Sequence, residues 1–551
     1  CGVQSNCVAI LPRETAFGRK REIDQSACNK DFSCLEGLCP SFVTLEGANV
    51  RATRPERIAK TITHLPEPAR QPLDRTVAIV ATGIGGTGVV TITAVLGQAA
   101  YIAGLGFGAI DMTGIAQKGG PVVCHMRIAP QPAEIHAIRI GAEGADVVIG
   151  GDLVVTASAK VIDMIAPDRT GVVLSRHAAT SGDFTRSPDL TTPVAELEAG
   201  INTRVGLDRL HALDAQDLAL HLLGDTIYAN LLLVGYAYQL GLIPITSEAI
   251  EQAIDLNGVD VARNHQAFRL GRLAAADREA VEWMRADATA RNATAPGADA
   301  PATGAQDIAP AASLEDLIAH RARDLAAYQD DALATRFRDR IRRIAAAEAA
   351  HGAGSTAVTR AVAEGYYKAL AIKDEYEVAR LYTDGRFEAD IAAAFAGPMR
   401  MTLHLAPPLL ARPDALTGRP RKFAFGPWIL PVLRLMARGK RLRGGFFDIF
   451  GRNTEHKADR EFLADYERAL DAIERHTRQE NAEIAETIAN LPLKIRGFGI
   501  VRARAREAAR AELDALLQTL AGAKHSAEAA PEVRHAIRRP VRPVRPPPAA
   551  E

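Results

Sequence analysis

Five of the six cysteines fall in the first 39 residues of this 551-residue chain: Cys1, Cys7, Cys28, Cys34 and Cys39, with Cys124 standing alone. Six are too few for a disulfide scaffold at this length, and no secretory signal pattern accompanies them. The clustering therefore points to metal chemistry in a reducing, cytoplasmic setting. Thiolates this close in sequence can wrap an iron–sulfur cluster, and Cys39-Pro40 ends the run in the pair that ferredoxin-type motifs often carry. The spacings, Cys1-x5-Cys7 and Cys28-x5-Cys34-x4-Cys39, differ from C-x2-C-x2-C-x3-C. Four of the thiolates could equally close a tetrahedral zinc site, and a set of unliganded buried thiols is the third alternative.

A second constellation is built from glycine. Thr76 and the apolar run Val77-Ala78-Ile79-Val80 read as a strand buried on both faces. Gly83-Ile84-Gly85-Gly86-Thr87-Gly88 follows, then a helical segment from about Val89 to Ala103, then a strand from Gly108 to Asp111. Glycines let a chain reverse tightly and point amides outward at a helix N-terminus, which favours a phosphate or another anion. Asp111 comes too late for the ribose-binding acid of a dinucleotide site, so NAD is not expected. The loop either binds a phosphate-bearing ligand or is structural and touches a partner domain. Gln117-Lys118-Gly119-Gly120 lies just past the second strand, where α/β sheets bind ligands, and Lys118 meets either an anion or water there. Cys124 and His125, inside Val122-Val123-Cys124-His125-Met126, are expected in the core.

Lys plus Arg and Asp plus Glu are both 66, so net charge argues for neither a nucleic-acid nor a membrane partner. Residues 76–110 and 226–247 carry no charge. Glycines punctuate the first run; the second holds Asn230, Gln239 and a proline. Neither reads as a membrane span, and 226–247 reads as a buried core helix near the same sheet. The chain starts at Cys1, which sets the expectation that more sequence lies upstream.

Along the chain, 51–75 reads as a connector and 286–312, rich in Ala, Pro, Gly and Thr, as a linker. Ser313 fits a helix N-cap, and helical patterns recur at about 313–349, 355–382, 457–492 and 500–521. Residues 400–443 hold ten Lys or Arg against Asp414 alone, interleaved with Phe423, Phe425 and Trp428. Such a face holds a nucleotide-like ligand, anionic lipid or an acidic ferredoxin, or else is a solvated face or subunit contact. The Pro- and Arg-rich tail from 526 to 551 reads as extended and disordered.

The string from Cys1 to Gly47 resembles the iron–sulfur segment of the fused, single-chain indolepyruvate:ferredoxin oxidoreductases, in the 2-oxoacid:ferredoxin oxidoreductase superfamily. The resemblance rests on Phe17-Gly18-Arg19-Lys20-Arg21, Ile23-Asp24-Gln25-Ser26, Cys28-Asn29-Lys30-Asp31-Phe32-Ser33-Cys34 and Cys39-Pro40-Ser41-Phe42-Val43. In that family two further cysteines precede the position of Cys1. Residues 76 to about 285 resemble the gamma-type domain, through the glycine turn, Asp111-Met112-Thr113-Gly114, Gln117 to Gly120, Asn230 to Gly235, and Ala267-Phe268-Arg269-Leu270-Gly271-Arg272. Lys373 to Leu381 fits the helical C-terminal domain of the same enzymes.

The fold class expected is therefore α/β plus α. A cysteine-rich iron–sulfur segment (1–50) and the connector (51–75) precede a doubly wound gamma-type, Rossmann-like α/β domain (76–285). The linker (286–312), a separate mostly α-helical domain (313–525) and the tail (526–551) follow. The resemblance implies oxidative decarboxylation of a 2-oxoacid such as indolepyruvate, with thiamine diphosphate, coenzyme A, [4Fe-4S] clusters and ferredoxin as acceptor, in a homo-oligomer. Its thiamine-binding domains would lie upstream, since no thiamine motif is seen here. The candidate metal ligands are Cys1, Cys7, Cys28, Cys34 and Cys39. The candidate cofactor-binding residues are Gly83, Gly85, Gly86, Gly88, Gln117, Lys118, Gly119 and Gly120. No catalytic residue is assigned. The alternative is a stand-alone electron-transfer or scaffold subunit without catalysis of its own; a zinc-stabilised nucleotide-binding protein is a third reading.

Overall fold

The computed structural model describes residues 9–25, 28, 30–37, 39, 42–50, 65–69, 73–113, 120–179, 190–293, 313–351, 355–407, 421–451 and 453–522. They fall into two compact units: Cys1–Gly37, Thr44–Ile308 and Gly385–Met401 in the first, Leu38–Val43, Ala309–Asp384 and Thr402–Glu551 in the second.

The first unit opens with the antiparallel hairpin β1 (Ile10–Arg13) and β2 (Lys20–Ile23) and includes β4 (Asn49–Val50), whereas the residues of β3 (Phe42–Glu46) are divided between the two units after Val43. Its centre is β5 (Val77–Ile84), α1 (Val90–Ile102), β6 (Gly106–Thr113), β7 (Pro121–Ala129), β8 (Val147–Gly150), α2 (Leu153–Thr156), α3 (Ala159–Ile162) and β9 (Gly171–Ser175). Then come α4 (Val194–Val205), β10 (Leu210–Leu213), α5 (Ala215–Leu223), α6 (Ala229–Gln239), α7 (Ser247–Asn257), α8 (Val261–Ala276) and α9 (Arg278–Ala293). The sheet order is β10-β9-β8-β5-β7-β6. β5, β8, β9 and β10 are parallel, whereas β7 pairs antiparallel with both β5 and β6. The sheet is thus mixed: β6, which follows α1 in sequence, is separated from β5 by the returning β7.

Burial explains why these strands read as unbroken apolar runs. Val77, Ile79 and Ala81 face one core with α1, α6, α7 and α8, while Ala78 and Val80 face a second core with α2, α3 and α4. Each fully buried Val or Ile contributes about 1.5–3 kcal/mol, so a strand apolar on both sides is stable only between two helical layers. α6 and α8 cross with backbones in contact. A Cβ on Gly235 would stand 1.9 Å from the Phe268 carbonyl oxygen, and one on Gly271 1.9 Å from that of Leu232.

The second unit is mainly helical. It contains α10 (Leu314–Tyr328), α11 (Asp331–His351), α12 (Ala357–Leu370) and α13 (Glu375–Thr383); α14 (Arg386–Ala394) and β11 (Phe395–Ala396), which pairs with β4, belong to the first unit. β12 (Arg400–Leu405), β13 (Phe423–Phe425), α15 (Ile429–Arg438), α16 (Thr454–His476), α17 (Ala482–Lys494) and α18 (Gly499–Gly522) complete it. β3, β12 and β13 form a three-stranded sheet with β12 in the middle. The core packs Phe337, Tyr366 and Tyr466 fully inside, and the two phenols find partners: Tyr366 donates to Glu467 at 2.6 Å and Tyr466 to the Ala489 carbonyl at 2.7 Å.

Candidate functional site

The parallel strands end at one polar edge, and the glycine turn rises from it. β5 runs on through Gly83 and Ile84, so Gly83 is a strand residue and the turn proper is Gly85 to Gly88. Gly86 and Gly88 have φ of +92° and +82°, left-handed backbone that a Cβ would strain. A Cβ on Gly83 would stand 2.4 Å from Val89 Cγ2. That closeness brings the first turn of α1 onto the strand.

Three elements brace the turn. The Gly85 amide donates to the Gly120 carbonyl at 2.7 Å, and the Thr87 amide to Ile84 at 3.2 Å, so two of its N–H groups are used within the chain. Asn230, buried at the start of α6, donates to the Thr87 carbonyl at 2.5 Å and to that of Ile227 at 3.2 Å. The Gly151 amide, beyond β8, donates to Thr82 at 2.8 Å, and Gln216 donates to the Gly151 carbonyl at 2.6 Å. Asp152 is 1 % exposed, yet accepts from Val155 N at 2.9 Å and Ala179 N at 2.7 Å; burial pushes its carboxyl up, and these bonds oppose the shift. The result is a rigid backbone cradle. Gly120 is part of it, whereas Gln117, Lys118 and Gly119 lie outside the described residues. Sequence reading overlooked the role of Asn230, although a lone amide opening an otherwise apolar helix was its signal.

Cys124 and His125 are both fully buried, as expected of core residues. Burial, with the nearby Asp111 carboxylate, pushes the Cys124 thiol up to about 12. Asp111 accepts from the Thr93 hydroxyl of α1 at 2.9 Å, so the late acid fastens β6 to the helix. His125 Nδ1 accepts from the Ile140 amide at 3.1 Å, and burial, joined by Arg139 and Lys160, lowers its pKa.

Of the cysteine segment, Cys1 and Cys7 lie outside the described residues; Cys28, Cys34 and Cys39 are all half-buried. Lys30 and Phe32 adopt φ of +57° and +56°, unusual for non-glycine residues, and the Lys30 amide donates to Cys28 Sγ at 3.4 Å. Cys28 and Cys34, both half-buried, are sulfur donors of the type that can hold iron or zinc. Among the described residues no three Cys, His, Asp or Glu side chains converge as a ligand set.

The connector has a fixed point that its composition did not announce. Glu67 accepts from Tyr238, from Ser247 Oγ at 3.1 Å and from Arg272 Nη2 at 2.7 Å. Arg272 is 6 % exposed, lies 5.0 Å over the Tyr238 ring and also donates to Gln239 at 2.9 Å. Burial pushes the Glu67 carboxyl up, but the bonds from Tyr238 and Arg272 outweigh it and hold it below the usual range.

The basic stretch divides into two kinds of cation. Lys440 donates to the Ala327 carbonyl at 2.6 Å, and Arg443 donates to Tyr328 O, so both cap the C-terminal end of α10. Arg443 also grips Asp374 at 2.5 and 2.7 Å and stacks 3.7 Å over the Tyr328 ring. Arg421, Arg438 and Arg441 are exposed, as is Trp428. Residues 408–420, with Arg412 and Arg419, lie outside the described set.

Residues 78–274 match the family model described as pyruvate ferredoxin/flavodoxin oxidoreductase. Relatives include the indolepyruvate oxidoreductase subunit IorB of Archaeoglobus fulgidus, 28 % identical over 200 residues, covering 35 % of this chain and 92 % of the relative. The α/β domain, residues 78–274, is thus similar in sequence to the 2-oxoacid:ferredoxin oxidoreductase superfamily. Within that superfamily, IorB of Methanothermobacter thermautotrophicus is 27 % identical over 203 residues, 36 % of this chain and 97 % of the relative. Pyruvate oxidoreductase subunit PORC of Thermotoga maritima is similar at 20 % identity and TM-score 0.27, over 36 % of this chain and 96 % of that one. The 2-oxoglutarate:ferredoxin oxidoreductase of Magnetococcus marinus gives 18 % and 0.28, over 37 % and 31 %. The assignment rests on the sequence matches, not on these superpositions. Residues 314–515 match a family of unknown function, DUF6537. No described helix is long and apolar enough to cross a membrane.

Proposed function

We propose that this chain is the cluster-bearing and gamma-type portion of an indolepyruvate:ferredoxin oxidoreductase, working with thiamine-binding domains outside this sequence. One observation carries the reading: the α/β domain aligns with 92 % of the length of an indolepyruvate oxidoreductase subunit. The overall reaction would convert a 2-oxoacid, coenzyme A and two oxidised ferredoxins to acyl-CoA, carbon dioxide, two reduced ferredoxins and a proton. When bound, thiamine diphosphate stabilises the carbanion, coenzyme A accepts the acyl group and [4Fe-4S] clusters relay single electrons.

This chain's own residues would serve two of those tasks. Cys1, Cys7, Cys28, Cys34 and Cys39 would ligate iron, with further ligands from outside this sequence. The glycine turn, with Gln117, Lys118, Gly119 and Gly120, would present backbone donors to a phosphate-bearing ligand or to the thiamine-binding partner. The deciding experiment is iron, acid-labile sulfide and zinc content of anaerobically purified protein, with the EPR spectrum after dithionite. Iron matched by sulfide, and a signal weakened by Cys34→Ala, is the expected result; zinc without sulfide would replace the relay with a structural site. Because the IorB relatives are named as subunits, a stand-alone subunit docking on a separate catalytic protein is the second reading. Co-purification of an uncoupled thiamine-binding polypeptide would favour it.

A further inference from the structure

We propose that the exposed basic face around α15 is the docking surface for an acidic electron-carrier protein, placed beside the last thiol of the cysteine segment. The proposal rests on the oxidoreductase reading above. Its geometry lies within the second unit, which takes in residues Leu38–Val43 as well as Thr402–Glu551. Cys39 is three residues before Phe42, the first residue of β3, so at most about 11 Å of chain separates them. Lys422, immediately before β13, holds its ammonium 4.8 Å from the centre of the Phe42 ring. Phe425, at the end of β13, packs edge-on against Trp428 with ring centres 5.8 Å apart. Trp428 is the N-cap of α15. The Lys422–Phe42 contact and the short chain from Lys422 to Trp428 therefore tie the strand that follows Cys39 to the start of this helix.

That outside is charged and apolar at once. Trp428, Val432 and Leu435 are 65 %, 44 % and 70 % exposed, and their i, i+4, i+7 spacing sets them on one side of the helix. Arg438 and Arg441 are exposed close by. The sole acid among residues 421–451 is Asp448, which is buried and accepts from the Gly444 and Gly451 amides at 2.9 and 2.8 Å, so it offsets none of the exposed charge.

The occupant follows from this chemistry. A second copy of the same face would bring like charges together. Tryptophan and arginine at the centre of a small patch are the residues that dominate protein contacts. Weak electron-transfer encounters are small and steered by opposite charge. A carrier rich in carboxylates, brought close to the thiol that ends the cluster segment, satisfies all of these.

The test uses a carboxylate-rich bacterial ferredoxin as the probe. Its binding to the 551-residue chain is measured by calorimetry at low and high salt, for the unaltered protein, Arg438→Glu/Arg441→Glu and Trp428→Ala. Micromolar binding that high salt abolishes, that the double reversal weakens about tenfold or more and that Trp428→Ala weakens about fivefold is expected. No binding by the unaltered chain, or equal binding by both variants with unchanged circular dichroism, overturns the proposal. If the double reversal unfolds the chain, Arg438→Gln must still weaken binding for the proposal to stand. Sedimentation with phosphatidylglycerol–phosphatidylcholine vesicles in place of ferredoxin binding overturns it in favour of lipid. In the intact enzyme, with its thiamine-binding part, the double reversal should raise KM for ferredoxin and leave the viologen-linked kcat unchanged. Failure of the enzyme to reduce viologen with any 2-oxoacid sinks the functional reading, while the calorimetry still decides the docking face.

Discussion

The glycine turn of the first unit and the basic stretch of the second both look like anion sites in sequence, and the fold treats them differently. The turn is backbone: its shape is set by positive φ at Gly86 and Gly88, by Asn230 and by the Gly120 carbonyl. The stretch is side chain, and side chains can be reassigned by packing. Lys440 and Arg443 are drawn into the helical core to satisfy carbonyls that end α10, while Arg438 and Arg441 stay outside. A run of like charges in sequence is thus not one feature but a mixture of caps and surface, sorted only by what the chain folds against.

The sharpest break of that mixture is Arg443→Ala. It leaves Asp374 and the Tyr328 carbonyl buried without their cation and should cost about 3–5 kcal/mol, read as a lowered urea midpoint with unchanged m. Gly88→Ala tests the backbone side: φ of +82° with Asn230 Nδ2 3.1 Å from the new Cβ predicts a loss of about 1–3 kcal/mol by the same measurement. Asn230→Ala should cost about 1–2 kcal/mol and add little to Gly88→Ala, since both act on one turn. A stability–pH curve gives a further check. His125 is buried and accepts an amide hydrogen, so its folded pKa is depressed. Its contribution is present above the ordinary histidine pKa and is lost as pH falls through the lower folded value; His125→Gln should flatten the curve on that acid side. The smallest effect is Arg438→Ala, within about 0.5 kcal/mol, because nothing in the core depends on an exposed surface cation.

Much of the architecture was legible. The apolar run at Val77 became β5, and the helix expected from about Val89 to Ala103 became α1 at Val90–Ile102. Strand and helix periods survive in sequence because burial on two faces, or on one, leaves a visible apolar rhythm. The helical patterns were found but fused. The segments read as 313–349 and 355–382 are each two helices, broken where Asp330 accepts from the Leu333 amide and Asp374 from that of Glu377. Those caps hide among many other acids, since a carboxylate caps only when the chain turns before it.

Residue order by itself determined the likeness of the α/β domain to the superfamily, the glycine turn and the grouping of thiols, because each depends on residue type at a fixed local spacing. Only the tertiary structure decided that β7 returns between β5 and β6, that Glu67 fastens the connector to Arg272 and Tyr238, and that Phe42 meets Lys422. Those choices join residues up to hundreds of positions apart. What selects them is the shared burial of a whole layer and the need to satisfy each polar group within it, and neither can be counted until the chain has folded.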